Sequence, residues 1–165
     1  MGGIDQDVLR TRLHDLEVEV PETTDGEVRL VVDAARASTL LARLRDDRET
    51  SMHRLVDLTA IDRSGLAGQE VRFELVYRLH SPELNQRMRV HVPVEEAEAI
   101  VDSVVPIWPA ADWLEREVFD LFGIRFRGHP DLRRILLEAD FEGAPLRKDY
   151  PRQPNLALPK KEVER

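Results

Sequence analysis

Two neighbouring stretches of the sequence alternate apolar with polar residues, and this period of two restricts the fold more than any other feature. The apolar positions are Val71, Phe73, Leu75, Tyr77 and Leu79 in residues 70–80, and Met88, Val90, Val92 and Val94 in residues 87–94. Side chains of a β-strand point alternately to opposite faces, so each stretch predicts a strand with one apolar face. Strands of this kind form a largely antiparallel sheet that is covered on one side.

Other stretches predict the remaining strands and the helices that cover the sheet. The predicted strands are residues 28–32 and residues 55–61, the second with Val56, Leu58 and Ala60 on one face. The first predicted helix is residues 5–16, with Asp5 as its cap and Val8, Leu9, Leu13 and Leu16 inward. A second helix is capped by Asp33 and has Ala37, Leu40, Leu41 and Leu44 inward. A third opens at Pro93 and has Ala97, Ile100, Val101 and Val104 inward. Together they predict an α+β two-layer sandwich, with a mostly antiparallel or mixed sheet covered by helices on one face.

The length of 165 residues fits one domain, which we expect to span residues 1–150. Residues 151–165 contain three prolines and few apolar side chains, so they predict an irregular, extended C-terminal arm. Such an arm either extends into solvent or lies across a neighbouring protein.

Composition excludes several classes of function. The chain has no cysteine, which excludes disulfides, iron–sulfur ligation and thiolate zinc sites. Its net charge of −8 argues against nucleic-acid binding. No apolar run approaches the roughly 20 residues that cross a bilayer, and no signal peptide is evident at the start. These features predict a cytoplasmic protein without direct membrane insertion.

Residues 108–123 combine aromatic and charged side chains most densely. Pro109 and Gly123 bracket a predicted helix from about residue 110 to residue 122. In this helix Trp113 and Phe119 fall among charged residues rather than on the apolar face, an arrangement typical of the centre of a protein interface. The alternative is that the C-terminal loop of the same chain covers both rings. The predicted apolar face holds Leu114, Val118, Leu121 and Phe122, and Asp112, Arg116 and Asp120 form a predicted charged ladder on the other side.

No motif for a nucleotide, a flavin or a metal is found, so we predict no catalytic, cofactor-binding or metal site. One alternative remains, because His129 lies beside Asp131 and could act with it as an acid–base pair in a small stand-alone enzyme. A histidine–proline turn held by hydrogen bonds gives the same sequence pattern. The C-terminal third is basic, since residues 122–165 carry ten Lys or Arg against seven Asp or Glu, which favours an acidic neighbour.

The same residues resemble a known family. Its signature is matched by residues 115–117 (Glu-Arg-Glu), residues 120–122 (Asp-Leu-Phe), His129, Arg133 and residues 135–136 (Ile-Leu), with flanking blocks at residues 108–113 and 145–151. This pattern resembles the C-type subunit, also called the thirty-kilodalton subunit, of complex I, the respiratory NADH:quinone oxidoreductase.

The resemblance implies a non-catalytic assembly subunit in the peripheral arm of a proton-translocating complex, on the cytoplasmic face of the inner membrane. Its implied partners are the D-type (forty-nine-kilodalton-type) subunit, near the quinone site, and the B-type iron–sulfur subunit. NADH, FMN, iron–sulfur clusters and quinone would then belong to partner subunits, so the enzyme is the complex and not this chain. The partner-binding residues expected from both arguments are Trp113, Glu115, Arg116, Glu117, Phe119, Asp120, His129, Arg133, Arg134, Arg147, Lys148, Asp149 and Tyr150. A complex-I-like membrane-bound hydrogenase with an equivalent subunit is the alternative.

Overall fold

The computed structural model describes residues 6–23, 27–68 and 71–151. Its helices are α1 (Gln6–Arg12), α2 (Ala34–Asp46) and α3 (Ala111–Phe122), with one 3-10 turn at His14–Leu16. Its strands are β1 (Val28–Val31), β2 (Arg54–Asp62), β3 (Phe73–Ser81), β4 (Gln86–Val94), β5 (Ile100–Asp102) and β6 (Arg125–Arg127). Most of the predicted arm at residues 151–165, and the predicted cap Asp5, lie outside the described residues.

The main sheet has four strands in the order β1-β4-β3-β2. Strands β2, β3 and β4 are antiparallel neighbours, whereas β1 runs parallel to β4, so the sheet is mixed. Strands β5 and β6 form a separate parallel pair. Helix α3 packs on β2, and α2 packs on β4 and β5. The α+β class with a mixed sheet is therefore confirmed.

Helix α2 follows from its sequence. The Asp33 carboxylate accepts a hydrogen bond from the Arg36 backbone N–H at 2.9 Å and so caps the first turn. The four predicted inward residues, Ala37, Leu40, Leu41 and Leu44, are all buried in the core. They meet the alternating apolar residues of β3 and β4, which are buried as predicted. The spacing of apolar residues was sufficient to predict these elements, because each of them has a single apolar face and all of these faces pack into the same core.

The predicted third helix, from Pro93 to Val104, is wrong. Strand β4 continues through Pro93 to Val94, and Ile100–Asp102 form β5 beside β6. Pro93 lies beyond His91, the last residue of β4 paired with β1, so it borders a strand on one side only, where proline is tolerated. Short apolar runs fit a helix or a strand equally well, and here pairing with β6 decided the outcome.

The apolar face predicted for β2 is wrong at one residue. The pairing of β2 with β3 skips between Leu55 and Asp57, which is a β-bulge. The extra residue, Val56, is 52% exposed, while Leu55, Leu58 and Ala60 are buried. In α1, Val8 is also exposed rather than inward.

The face of the main sheet that points away from the helices is less solvated than alternation predicts. On it Glu74, Val76 and His91 are buried. The Glu74 carboxylate lies 2.9 Å from His91 Nδ1 and 3.4 Å from Arg29 Nη2, and it also pairs with Arg63. Ionic pairing and long arginine side chains therefore cover the middle of this face.

We expect Leu41→Ala to lower the free energy of unfolding by about 2–5 kcal/mol, because it leaves a cavity between α2 and the sheet. Val56→Ala is the control, since Val56 is largely exposed at the bulge and its loss should cost less than about 0.5 kcal/mol. Urea unfolding of both variants measures the difference. Equal losses would contradict the packing described.

Candidate functional site

Helix α3 begins at Ala111 and ends at Phe122, close to the predicted bounds. Gly123 ends it with φ 74°, a left-handed conformation that suits glycine, and its N–H donates to the Phe119 carbonyl at 2.9 Å. Val118 and Phe122 are buried against the sheet as predicted, and Leu114 and Leu121 are half-buried.

The polar side of α3 is not a solvated face. Arg116 and Asp120, two of the three residues in the predicted charged ladder, are buried, and so is Glu115, so this side of the helix is not exposed to solvent. The reason is that residues 129–150, here called the C-terminal segment, lie over this side and are bound to it by hydrogen bonds. The buried charged residues of α3 therefore form hydrogen bonds with other parts of the same chain.

Asp120 is the main anchor of the C-terminal segment. Its Oδ2 atom accepts hydrogen bonds from three consecutive backbone N–H groups, those of Ile135, Leu136 and Leu137, at 3.0, 2.8 and 2.9 Å. Its Oδ1 atom accepts from Arg134 Nη1 at 2.6 Å. Burial by itself would raise the pKa of Asp120, but these donors outweigh it and lower the pKa below its usual value.

Two arginines extend this attachment. Arg134 Nη2 donates to the carbonyl groups of Phe141 and Gly143 at 2.8 and 3.0 Å, and so closes the loop that follows. Arg116 donates to the carbonyl groups of Arg133 and Arg134 at 3.1 and 3.3 Å. The Arg116 guanidinium also lies 5.2 Å from the centre of the Trp113 ring. A cation in this position attracts the face of the indole, by about 0.5–1 kcal/mol at an exposed site.

Glu115 points into the core. Its carboxylate accepts from the Ser103 hydroxyl at 2.7 Å and from the Val104 N–H at 2.6 Å, which joins α3 to the chain that follows β5. Burial raises the pKa of Glu115 despite these two hydrogen bonds. A direct contact between Glu115 or Asp120 and another protein does not fit this placement. Both side chains are inaccessible to solvent and bind groups of this chain.

Hydrogen bonds hold both ring nitrogens of His129. The Asp131 N–H donates to Nδ1 at 3.0 Å, so Nε2 carries the proton and donates to the Asp112 carbonyl at 3.1 Å. The His129 side chain is fully buried, and the Asp131 carboxylate instead accepts from Arg133 at 2.8 Å. His129 and Asp131 therefore form a hydrogen-bonded turn, in which the His129 ring binds the Asp131 backbone and the Asp131 carboxylate binds Arg133.

The far end of the C-terminal segment is bound both to the last residue of α3 and to the end of β2. Arg147 Nε donates to the Phe122 carbonyl at 2.6 Å, and the Lys148 N–H donates to Asp62 at 2.9 Å. Arg72 binds both Asp62 and Asp149, at 3.2 and 2.5 Å. Burial would raise the pKa of Asp62, but the N–H groups of Lys148 and Ser64 and the Arg72 guanidinium lower it strongly. Sequence reasoning missed Asp62 and Arg72 because both lie far along the chain from the segment that they hold.

Tyr150 completes the loop around Gly143. Its ring stacks on Phe141 with 6.0 Å between centroids, and its hydroxyl donates to the Glu142 carbonyl at 3.3 Å. A Cβ atom at Gly143 would lie 2.6 Å from the Tyr150 ring, and the φ of Gly143 is 94°, so only glycine fits here.

The attached segment leaves large apolar side chains exposed. Trp113 is 61% exposed and Leu136 is 60% exposed, on the side of α3 that the segment follows. The C-terminal segment therefore leaves Trp113 uncovered, whereas Phe119 is half-buried. Glu117 and Arg133 are also exposed. We call the surface formed by Trp113, Leu136, Glu117 and Arg133 the docking surface. Leu136 was not among the residues that the sequence singled out for partner binding.

Two further observations concern cofactors and membranes. Residues 6–23, 27–68 and 71–151 contain no group of three or more His, Cys, Asp or Glu that could hold a metal ion. No helix in these same ranges is long and apolar enough to span a bilayer.

Sequence comparisons agree with one another. The family model of the respiratory-chain NADH dehydrogenase 30 Kd subunit matches residues 30–155. The chain is 46% identical over 126 residues to the C-type subunit of NADH-quinone oxidoreductase from Rhodopseudomonas palustris strain TIE-1, an alignment that covers 76% of this chain and 60% of that protein. It is 45% identical over 143 residues to the same subunit from Brucella abortus strain 2308, covering 87% of this chain and 68% of the relative. The chain thus spans 60% of the Rhodopseudomonas relative.

Two solved structures share the fold. A trypsin-resistant fragment of Nqo5 superposes with a TM-score of 0.68 at 28% identity, covering 77% of this chain and 98% of the fragment. A chain of the membrane-bound sulfane sulfur reductase, an archaeal respiratory membrane complex, gives a TM-score of 0.73 at 24% identity. That alignment covers 88% of this chain and 85% of the other, and it shows the fold alone.

Asp120→Asn should lower the free energy of unfolding by about 2–4 kcal/mol at pH 7, because it removes the charge that pairs with Arg134. The pKa of Asp120 is lowered in the folded protein, so this stability is present above the unfolded pKa of about 4 and is lost as the pH falls through the folded pKa. The difference in the free energy of unfolding between wild type and Asp120→Asn should therefore become smaller below about pH 4. Urea unfolding from pH 3 to pH 8 measures this difference, and Asp131→Asn, at an exposed position, is the control. A difference that does not change with pH would contradict the stabilising role given to the Asp120 carboxylate.

Glu115→Gln should have the opposite pH dependence. The pKa of Glu115 is raised on folding, so the native state loses stability as the pH rises above the unfolded value of about 4.3 towards the folded one. The glutamine amide can keep both hydrogen bonds, since its carbonyl accepts from Val104 and its NH2 group donates to Ser103. The variant should therefore gain stability relative to wild type between pH 4 and pH 8 in thermal unfolding. A loss that grows over this range would show that the charged form is favoured.

Proposed function

Because this chain belongs to the family of the respiratory-chain NADH dehydrogenase 30 Kd subunit, we propose that it is a non-catalytic assembly subunit of a proton-translocating NADH:quinone oxidoreductase. In this role it joins the peripheral arm of the complex through the docking surface on α3. The curated relatives are subunits of NADH-quinone oxidoreductases, so the complex carries the oxidoreductase activity. The contribution of this chain is to present a rigid surface.

The observation that carries the proposal is the exposure of Trp113 and Leu136 on a rigid support. The Leu136 backbone is bound to Asp120, which lies seven residues after Trp113, or about 10 Å along the helix axis. A solvated indole and a solvated leucine this close together are apolar surface that a partner would bury. Burying a tryptophan anchor in a pocket commonly accounts for about 2 kcal/mol or more, on the order of a thirtyfold change in affinity.

The polar groups around these side chains suit the rim of an interface. Glu117 and Arg133 are exposed, and Arg116 supports Trp113 from one side while its hydrogen bonds to the segment keep it in place. A polar rim around a small apolar centre is the usual organisation of a specific interface. An obligate contact of this kind would bury on the order of 2,000 Å² in total.

The partners proposed for this surface are the D-type (forty-nine-kilodalton-type) subunit, near the quinone site, and the B-type iron–sulfur subunit. NADH, FMN, iron–sulfur clusters and quinone would be bound by partner subunits. The chain would lie on the cytoplasmic side of the inner membrane, attached through the complex. The lack of a three-ligand metal group among the described residues is compatible with this division of roles.

An equivalent subunit of a complex-I-like enzyme is the second candidate. The fold shared with a chain of the membrane-bound sulfane sulfur reductase supports it, because the same architecture occurs in another respiratory membrane complex. The docking role would be unchanged and the electron-transfer partners would differ. The genes encoded beside this one distinguish the two candidates.

We expect Trp113→Ala combined with Leu136→Ala to reduce the amount of chain that copurifies with the complex by at least about tenfold, because the apolar centre of the interface is lost. The thermal unfolding midpoint of the isolated chain should hardly change, since both side chains are exposed. Affinity purification through another subunit, followed by quantitative mass spectrometry, measures the copurified chain.

Leu66→Ala is the matched control, since Leu66 is 53% exposed but lies in the loop after β2. It should leave copurification unchanged. A double variant that assembles as well as wild type would refute the docking surface.

A further inference from the structure

The outer sheet face, defined as the side-chain positions of β1 to β4 that point away from the helices, is basic. Five arginines occupy it, namely Arg29, Arg54, Arg78, Arg87 and Arg89, against two carboxylates, Asp57 and Glu74. The whole chain carries a net charge of −8, so this face has the opposite sign to the molecule. It also lies on the side of the sheet opposite α3, and is therefore remote from the docking surface.

Some arginines of this face already bind carboxylates within the chain. Arg89 Nε lies 3.0 Å from Glu27, and Arg78 Nη2 lies 4.0 Å from the same carboxylate. Arg29 and Arg63 share Glu74. Arginines thus outnumber the carboxylates on a flat surface, and its positive charge exceeds its negative charge. Guanidinium forks match the planar geometry of carboxylates and bind them at two points.

His91 gives a second, independent observation. Its side chain is only 9% exposed and Nδ1 is occupied by Glu74, yet Nε2 has no hydrogen-bond partner among the described residues. Buried polar atoms in native proteins are nearly always hydrogen-bonded, to protein or to ordered water, so this atom leaves one hydrogen bond for a water or a partner group to supply. His91 lies beside Val31 and Val76 in the sheet, in the middle of the outer sheet face.

We propose that the outer sheet face binds an acidic segment of a second polypeptide in the assembly, different from the segment that covers Trp113. The inference rests on the proposed function and extends it, because it makes this chain a bridge between two partners on opposite sides. A second copy of the same face is disfavoured, because five arginines would then face five arginines. The partner would place Asp or Glu carboxylates between Arg78, Arg87 and Arg89.

Site-specific cross-linking in the purified complex tests the proposal directly. The photoreactive residue p-benzoyl-phenylalanine would replace Thr59, an exposed position on the outer sheet face, or Trp113 on the docking surface, in separate variants. We expect position 59 to cross-link to a segment in which Asp and Glu outnumber Lys and Arg, identified by mass spectrometry. Position 113 should reach a different segment. Cross-links from position 59 to a basic or neutral segment, or none at all, would overturn the proposal.

Charge reversal gives a second measurement. Arg78→Glu combined with Arg87→Glu should weaken retention of the chain in the complex about tenfold, and the loss should appear at lower salt than for wild type. Arg78→Lys combined with Arg87→Lys keeps the positive charge, and its retention in the complex should lie between that of wild type and that of the charge-reversed variant. Arg48→Glu with Arg125→Glu reverses two exposed arginines outside this face and should leave retention unchanged. Equal weakening by both reversed pairs would show a general charge effect and would refute the proposal.

The outcomes separate this inference from the proposed function. If position 113 cross-links to another subunit and position 59 does not, the role of the docking surface is supported and the partner proposed for the outer sheet face is refuted. If neither position cross-links, the proposed function fails as well. Vesicles of phosphatidylglycerol are the remaining probe: sedimentation of the chain that depends on Arg78 and Arg87 would assign the face to anionic lipid and overturn the protein partner.

Discussion

The structure depends on one buried carboxylate. Asp120 is inaccessible to solvent, and it gathers three consecutive backbone N–H groups and one guanidinium. A buried charge with too few partners would cost several kcal/mol, so the chain around it has little freedom to move away. This constraint turns residues 129–150, which have no helix or strand of their own, into an ordered layer on α3. The exposed side chains of that layer are thereby held in a defined arrangement.

Local patterns in the sequence predicted a helix or strand well where its apolar residues form one face that packs into the core. Asp33 caps α2 and Leu40, Leu41 and Leu44 are buried, because a cap and a helical period are both short-range properties. The prediction failed between Pro93 and Val104, where the choice of strand over helix depends on β6, which follows only after the whole of α3. It also failed at Val56, since nothing in the sequence marks a bulge.

The sequence directed attention to α3 and the residues after it, but it did not predict the hydrogen bonds that join them. The resemblance singled out Glu115, Arg116 and Asp120 as partner-binding residues, and periodicity placed Arg116 and Asp120 in a charged ladder opposite the apolar face. Most of their actual partners are backbone groups, namely the N–H of Val104, the carbonyls of residues 133–134 and the N–H groups of residues 135–137, and a backbone group carries no signal in the sequence. Exposure of Trp113 could be anticipated, because an aromatic ring among charges does not fit the core face of α3. The basic outer sheet face became visible only when the strand order was known.

Recognition of the main chain at residues 135–137 has a consequence for how the surface can change. Asp120 holds these residues by N–H groups that every amino acid except proline possesses, so the anchor is indifferent to which side chains they carry. Leu136, whose side chain is exposed, is therefore open to substitution without altering the path of the loop. A lineage could retune the chemistry of this patch to follow a changing neighbour while its scaffold remained the same. Proline is the one replacement that this arrangement forbids.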